Sequence, residues 1–433
     1  MKRVGIGALI LVLAAGLMAF WAPTSPWNDV PAGAEPDKDE SRNGTLRVSS
    51  FYDVDPSTLP PAAPGTFMKS ERIRPLPGIS QDGYELYRFM YHSTTINGED
   101  IPVSGLLGIP TGDPPPTGWP SITYAHGTMG SAPKCGLSIA PQSRKTVSGF
   151  QFDSKVKPLL ERGYAVIATD YQGMGPPVTP MYLLGDAEGR NLLDSIRAVQ
   201  QWRDDINPST VLWGHSQGGQ AVLFASQIQS DYAPELDIQG TVSIAPAIIP
   251  PVPFALEIVG SSPDPSGQTY LISGAVGTWI QNYSDLDAED VFTEKGIDAL
   301  SALKELCGSD LNEFYQQAPM SEYIKIQEAA NNPRVLKAVQ KNLAGGEPLN
   351  SPLLLVQGMA DEVVINPETP SYFALLCQQR ESGELKVPTQ LELYPDDNHL
   401  TIIPNAAEQV DQWIQDRMAG EEAPSNCPNQ DRS

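Results

Sequence analysis

The chain has 433 residues, with 28 Lys and Arg against 52 Asp and Glu, for a formal net charge of −24. That balance excludes the basic footprint of a nucleic-acid binder, and it repels anionic surfaces and substrates at long range. Four widely spaced cysteines (Cys135, Cys307, Cys377, Cys427) and only four histidines give no compact metal-ligand pattern, so no metal or other cofactor is expected.

Met1-Lys2-Arg3 precede a charge-free run from Val4 to Ala22, the pattern of an export signal, and Ala32-Gly33-Ala34 supplies a small-residue cleavage site. The run is also long enough to span a bilayer as an uncleaved anchor. Residues 1–34 are read as this signal or anchor, and 35–79 as a leader and N-terminal extension that is polar and turn-rich from Pro36 to Gly44. The protein is therefore expected outside the cytoplasm, secreted or held in the cell envelope. Four cysteines in an exported chain suggest two disulfides, with three pairings open; Cys427 would tie down a polar tail at 420–433.

Gly83 to Pro110 reads as a β-hairpin: Tyr84 to Tyr91 alternates, Asn97-Gly98 supplies the turn, and Ile101 to Ile109 returns. A short buried strand, Pro120 to Ala125, ends in His126-Gly127-Thr128. Lys155 to Arg162 reads as a helix, Ala165 to Thr169 as an apolar strand, and Glu188 to Arg203 as a helix with Leu192, Leu193, Ile196 and Val199 on one face. After the turn-like Asn207-Pro208-Ser209 come a strand over Thr210 to Trp213 and another over Ile238 to Ile244. Apolar strands alternating with helices predict an α/β fold with a mostly parallel sheet covered on both faces.

The alternation stops at Ala247 and resumes at Pro352 to Gly358. Residues 247–350 are Pro-rich at first. Helix-like pieces follow at Ala288 to Cys307, Leu311 to Gln317 and Ser321 to Asn331. They are read as a mostly helical cap inserted between a first core part (80–246) and a second (351–419). Its apolar run Phe254 to Val259 is a candidate acyl-pocket lining or plain packed core. Thr369 to Arg380 reads as a helix, Thr389 to Tyr394 as a strand, and Pro404 to Met418 as a closing helix.

Val211-Leu212-Trp213-Gly214-His215-Ser216-Gln217-Gly218-Gly219 reads as strand, sharp turn, then helix. This is the nucleophile-elbow pattern, in which the serine sits on a strained turn and its hydroxyl projects clear of the sheet. A serine hydroxyl needs a base to take its proton. Asp361 lies just beyond the strand ending at Gly358, and His399 just beyond the one ending at Tyr394. The order Ser216, Asp361, His399 suits nucleophile, orienting acid and base on an α/β-hydrolase sheet.

Each candidate has rivals. Glu362 is one position further from its strand end than Asp361, and Asp396 and Asp397 are too near His399 in sequence to orient it. His92 lies in the hairpin, His126 suits a loop brace, and the His215 ring should point away from Ser216. The backbone N–H groups of Thr128 and Gln217 are the candidate oxyanion hole, with Met129 as the alternative to Thr128.

Tyr124-Ala125-His126-Gly127-Thr128 with Cys135 downstream, Ala168 to Gly175, Leu193-Asp194-Ser195-Ile196-Arg197-Ala198 and Gly214 to Gly219 together resemble the secretory lipase family, the lipase A-like branch of the α/β-hydrolases. The resemblance spans roughly Ser80 to Met418. It implies an exported serine esterase or lipase with a helical cap over its acyl site, acting on acylglycerols or other uncharged esters and touching a lipid interface transiently. An acidic residue that some members carry in the oxyanion loop is absent between Thr128 and Cys135. A peptidase on the same fold and a catalytically inactive surface binding protein are the rival readings. Chain-length preference and oligomeric state stay open.

Overall fold

The computed structural model describes residues 49–75, 81–248 and 266–428. The signal or anchor segment, the polar leader at 36–44 and the apolar run 254–259 lie outside them.

The sheet begins with an edge strand, β1 (Phe67–Ile73), inside the stretch read above as N-terminal extension. Its middle is exposed at Ser70, Glu71 and Arg72, so it lacks an apolar signal; charged residues of this kind protect a sheet edge from unwanted pairing. The hairpin β2 (Tyr84–Thr94) and β3 (Asp100–Pro110) pairs antiparallel, and Gly98 in its turn takes a φ of 81°. Next come β4 (Trp119–Ala125), β5 (Ala165–Thr169), β6 (Ile206–His215), β7 (Ile238–Ile244), β8 (Leu353–Gly358) and β9 (Thr389–Tyr394). These described strands form one sheet in the order β1-β2-β3-β5-β4-β6-β7-β8-β9. From β5 to β9 every pairing is parallel.

Two expectations at β6 and before β5 are corrected. Asn207-Pro208-Ser209 is not a turn ahead of the strand but part of β6, where the pairing with β4 slips between Trp119 and Ser121. A bulge tolerates Pro208, which has no N–H to give the ladder. The helix expected at Lys155 begins earlier, as α1 (Val147–Gln151), passes through a π turn at Phe152–Val156, and ends as α2 (Lys157–Glu161).

The longer helices are α3 (Gly185–Trp202) and α4 (Gln217–Tyr232), each following the strand before it. The elbow strand alternates between the two faces of the sheet. Leu212 packs with Leu192, Ile196 and Ala221 of α3 and α4, whereas Val211 and Trp213 pack with Val156, Leu160, Ile402 and Ile414 on the opposite face. Burial on both faces is why the strand reads as a continuous apolar run.

Between β7 and β8 the described chain is mostly helical: α5 (Ser266–Asn282), α6 (Glu294–Ala299), α7 (Gly308–Tyr315), α8 (Ile326–Asn331) and α9 (Pro333–Lys341). The single helix expected over Ala288 to Cys307 is broken into short pieces. Thr293 accepts from Gly296 N–H at 3.0 Å and so starts a new helix, and a Cβ at Gly296 would collide with the Tyr323 carbonyl. α5 and α9 were not separately legible. Most of the buried apolar residues of this segment, including Tyr270, Trp279, Phe292 and Tyr315, share one cluster with α3 and α4. α10 (Glu368–Ser382) and α11 (Ile402–Met418) complete the core. The pairings left open by sequence are Cys135–Cys307, which joins the loop after β4 to the helical segment, and Cys377–Cys427, which pins the tail to α10.

Candidate active site

β6 delivers Ser216 at the N-terminus of α4 with φ 60° and ψ −120°, a region that side-chain-bearing residues rarely enter. Neighbouring backbone holds the turn: Ser216 N–H donates to Ile244 O at 3.0 Å, and Ser216 O accepts from Ala247 N–H at 2.9 Å. The flanking glycines are sterically required. A Cβ at Gly214 would strike the Gly218 carbonyl, and one at Gly218 would strike the Ala125 carbonyl.

Ser216, His399 and Asp361 come together from the ends of β6, β9 and β8. His399 Nε2 lies 2.9 Å from Ser216 Oγ, and His399 Nδ1 lies 2.8 Å from Asp361 Oδ2. The imidazole is fully buried, and Ser216 and Asp361 are each 6% exposed. Asp361 is itself held firmly. Its Oδ1 accepts from Val363 N–H at 2.8 Å and Val364 N–H at 2.9 Å, and its Oδ2 accepts from Gln357 Nε2 at 3.1 Å. Gln357 is anchored in turn by the Thr369 hydroxyl at 2.7 Å. The turn before His399 is set by Asn398, whose Oδ1 accepts from Leu400 and Thr401 N–H at 3.0 and 2.9 Å. Such an arrangement can pass a proton from a serine hydroxyl to imidazole while a carboxylate stabilises the imidazolium.

The rivals lie elsewhere. Glu362 makes no hydrogen bond to His399, and burial raises its carboxyl above the ordinary range. Asp397 accepts from Asn405 in the first turn of α11 at 2.5 Å. His92 pairs with Asp100 across the hairpin at 2.9 Å. His126 is fully buried between the carbonyls of Gly127 (2.8 Å) and Asp170 (3.3 Å), and burial pushes it down to about 4. It is therefore neutral and braces the loop. His215 turns from Ser216, as expected: its Nε2 donates to the His399 carbonyl at 2.8 Å, and burial pushes it well below its ordinary value. The neutral ring thus supports the His399 backbone.

The loop carrying Thr128 packs on the elbow, for Gly218 sits against Ala125 O and His126 O, and Gly127 against His215 O. Among the described residues, the Thr128 N–H has no acceptor. Thr128 Oγ1 is 2.8 Å from Tyr182 Oη. Gln217 opens α4, where first-turn N–H groups lack intrahelical partners. Met129, the alternative donor, is buried and uses its carbonyl to accept from Gly308 N–H at 3.0 Å.

Sequence reasoning missed Gln357, Tyr182 and Glu188. Glu188 was legible as an anomaly, since it stands four residues before Leu192 on the apolar stripe of α3. It is fully buried, its Oε1 accepts from Gln217 Nε2 at 2.8 Å and Leu183 N–H at 2.9 Å, and burial raises its carboxyl to about 8.

Comparison with known proteins adds independent findings. The family model described as secretory lipase matches residues 142–426. A Mycobacterium tuberculosis protein named "probable inactive lipase" is 23% identical over 84% of this chain and 82% of its own length. Lipase 5 of Candida albicans is 26% identical over 68% of this chain, which spans only 64% of that protein. Candida antarctica lipase A superposes with a TM-score of 0.70 at 17% identity, covering 84% of each chain. The last likeness shows the fold, an α/β-hydrolase sheet with its helices.

Proposed function

This chain belongs to the secretory lipase family, and within it we propose an exported serine carboxylic ester hydrolase acting on acylglycerols or other uncharged esters through an acyl-enzyme on Ser216. The observation that carries the reading is the continuous hydrogen-bonded chain from Ser216 Oγ through His399 to Asp361, with Ser216 on a strained turn.

In the proposed reaction His399 Nε2 takes the Ser216 proton as Oγ attacks the ester carbonyl carbon. The carbonyl π pair moves to oxygen, and the oxyanion faces the N–H groups of Gln217 and Thr128. Collapse expels the alcohol, which receives the proton from His399. Water then gives its proton to His399, attacks the acyl carbon, and frees the acid with Ser216 restored. The net charge of −24 favours uncharged esters over polyanions. Export is supported by the family and by the charge-free run from Val4 to Ala22.

A second reading, an inactive family member, is favoured by the name of the Mycobacterium relative. The discriminating experiment is hydrolysis of p-nitrophenyl esters from acetate to palmitate by wild type and Ser216→Ala. Activity lost in the variant supports the serine esterase, and its chain-length profile separates esterase from lipase. A wild type inert on every ester, with Ser216 unlabelled by a fluorophosphonate, sinks the catalytic reading.

A further inference from the structure

Glu188 is a buried acid without a cation. It lies in the first turn of α3 with no exposed surface, and no ion pair involves it among the described residues. Its Oε1 accepts two hydrogen bonds, from Gln217 Nε2 at 2.8 Å and Leu183 N–H at 2.9 Å, while Oε2 is buried without a partner. Stability alone would place a leucine here, as at Leu192 one turn on, because an unpaired buried carboxyl is costly.

Its two partners reach both sides of the proposed oxyanion hole. Gln217 is the residue whose backbone N–H follows the nucleophile. Leu183 belongs to the 180–184 loop and takes a φ of 50°, a conformation that must be held by its surroundings. One residue earlier, Tyr182 Oη meets Thr128 Oγ1 at 2.8 Å. The same loop is clasped from α5, where Trp279 Nε1 donates to Tyr182 O at 3.1 Å and Leu183 O at 3.2 Å.

We propose that Glu188 is a positioning residue for ester hydrolysis: one buried carboxyl aligns both oxyanion donors, Gln217 through its side chain and Thr128 through the 180–184 loop. The inference rests on the serine esterase reading and adds to it a residue that touches neither substrate nor Ser216. With Oε1 accepting both hydrogen bonds, Oε2 is the oxygen left to carry a proton when the carboxyl is neutral. The titratable groups that feel its charge are the phenols of Tyr171 and Tyr182, both raised far above their ordinary value chiefly by burial. With burial lifting the carboxyl to about 8, ionisation in mildly alkaline solution adds a buried negative charge behind Gln217, which opposes the developing oxyanion.

The test compares wild type, Glu188→Ala and Glu188→Gln on p-nitrophenyl butyrate between about pH 6 and pH 9.5, with kcat counted per Ser216 titrated by a fluorophosphonate. Glu188→Ala is expected to lower kcat roughly 10- to 100-fold with KM little changed, the size of effect expected for displaced donors. Glu188→Gln keeps an acceptor for both partners and cannot ionise. It should retain most of the neutral-pH kcat and lose the fall in kcat near pH 8. An unaltered pH profile in Glu188→Gln overturns the proposal, even if Glu188→Ala fails to fold. So does a Glu188→Ala enzyme that melts earlier but keeps wild-type kcat per titrated site. An inert wild type overturns the esterase reading itself and this inference with it.

Discussion

Replacing Asp361 by Asn is isosteric, yet the structure predicts a large loss of activity. Val363 and Val364 both donate to Oδ1, at 2.8 and 2.9 Å, so that position demands an acceptor. The new amide must therefore place its oxygen there and its NH2 where Oδ2 now accepts from His399 Nδ1 at 2.8 Å and Gln357 Nε2 at 3.1 Å. An NH2 facing Nδ1 drives His399 into the tautomer with its proton on Nε2, 2.9 Å from Ser216 Oγ. That tautomer cannot take the serine proton. The expected fall in kcat is about 10⁴-fold, or ~5.5 kcal/mol of transition-state stabilisation. Gln357 Nε2 now meets another donor, which costs a further ~1–3 kcal/mol of stability. The assay is p-nitrophenyl butyrate hydrolysis by Asp361→Asn, with Ser216→Ala as the floor, Glu362→Gln as the rival-acid control, and near-UV circular dichroism to verify folding. If Asp361→Asn kept more than about a tenth of wild-type kcat, or if Glu362→Gln lost as much, the tautomer reasoning would be refuted.

Four further perturbations test the same geometry. Removing Cys135–Cys307, which closes a separation of 172 residues, should cost roughly 3–5 kcal/mol. It should also lower kcat about 10-fold by loosening the loop that bears Thr128. Removing Cys377–Cys427, with a separation of 50, should cost stability and leave kcat intact; calorimetry with assays at low temperature checks both, and equal kcat losses would contradict the assignment. Lys155 is 3% exposed, its Nζ donates to Gln151 Oε1 at 2.8 Å, and burial pulls its ammonium down to about 7. Charging it therefore costs folding energy that is absent above the unfolded value near ~10.4 and complete below the folded one, so Lys155→Met should stabilise increasingly as pH falls from about 10 to 7, reaching a few kcal/mol. Melting temperatures at both ends of that window decide, and a gain confined to alkaline pH would reverse the argument. Gly218→Ala drives a Cβ into the Ala125 carbonyl and should give less soluble protein with no Ser216 labelling; a well-folded, reactive variant would show that the elbow tolerates a side chain.

The parts of this protein legible in its residues are those with local causes. Alternation gave the hairpin β2–β3, and the strand–turn–helix of Val211 to Gly219 needs glycine where backbones touch. Ser216, Asp361 and His399 were selected because loops after parallel strands converge at one end of a sheet. The edge strand β1 escaped notice because its exposed charged middle carries no apolar period. The helical segment between β7 and β8 was hard to divide because α6 and α8, of 6 residues each, are too short to show a helical period.

What only the tertiary structure decided are partnerships between distant residues. Glu188 meets Gln217 across 29 positions, Thr128 meets Tyr182 across 54, and Cys135 meets Cys307 across 172. Periodicity and turn chemistry act over a few residues, so they determine which side chains a segment presents and to which face. Which buried donor finds which acceptor depends on how α3, α4 and the helical segment close over the sheet, because a desolvated polar group takes the partner that packing brings within reach.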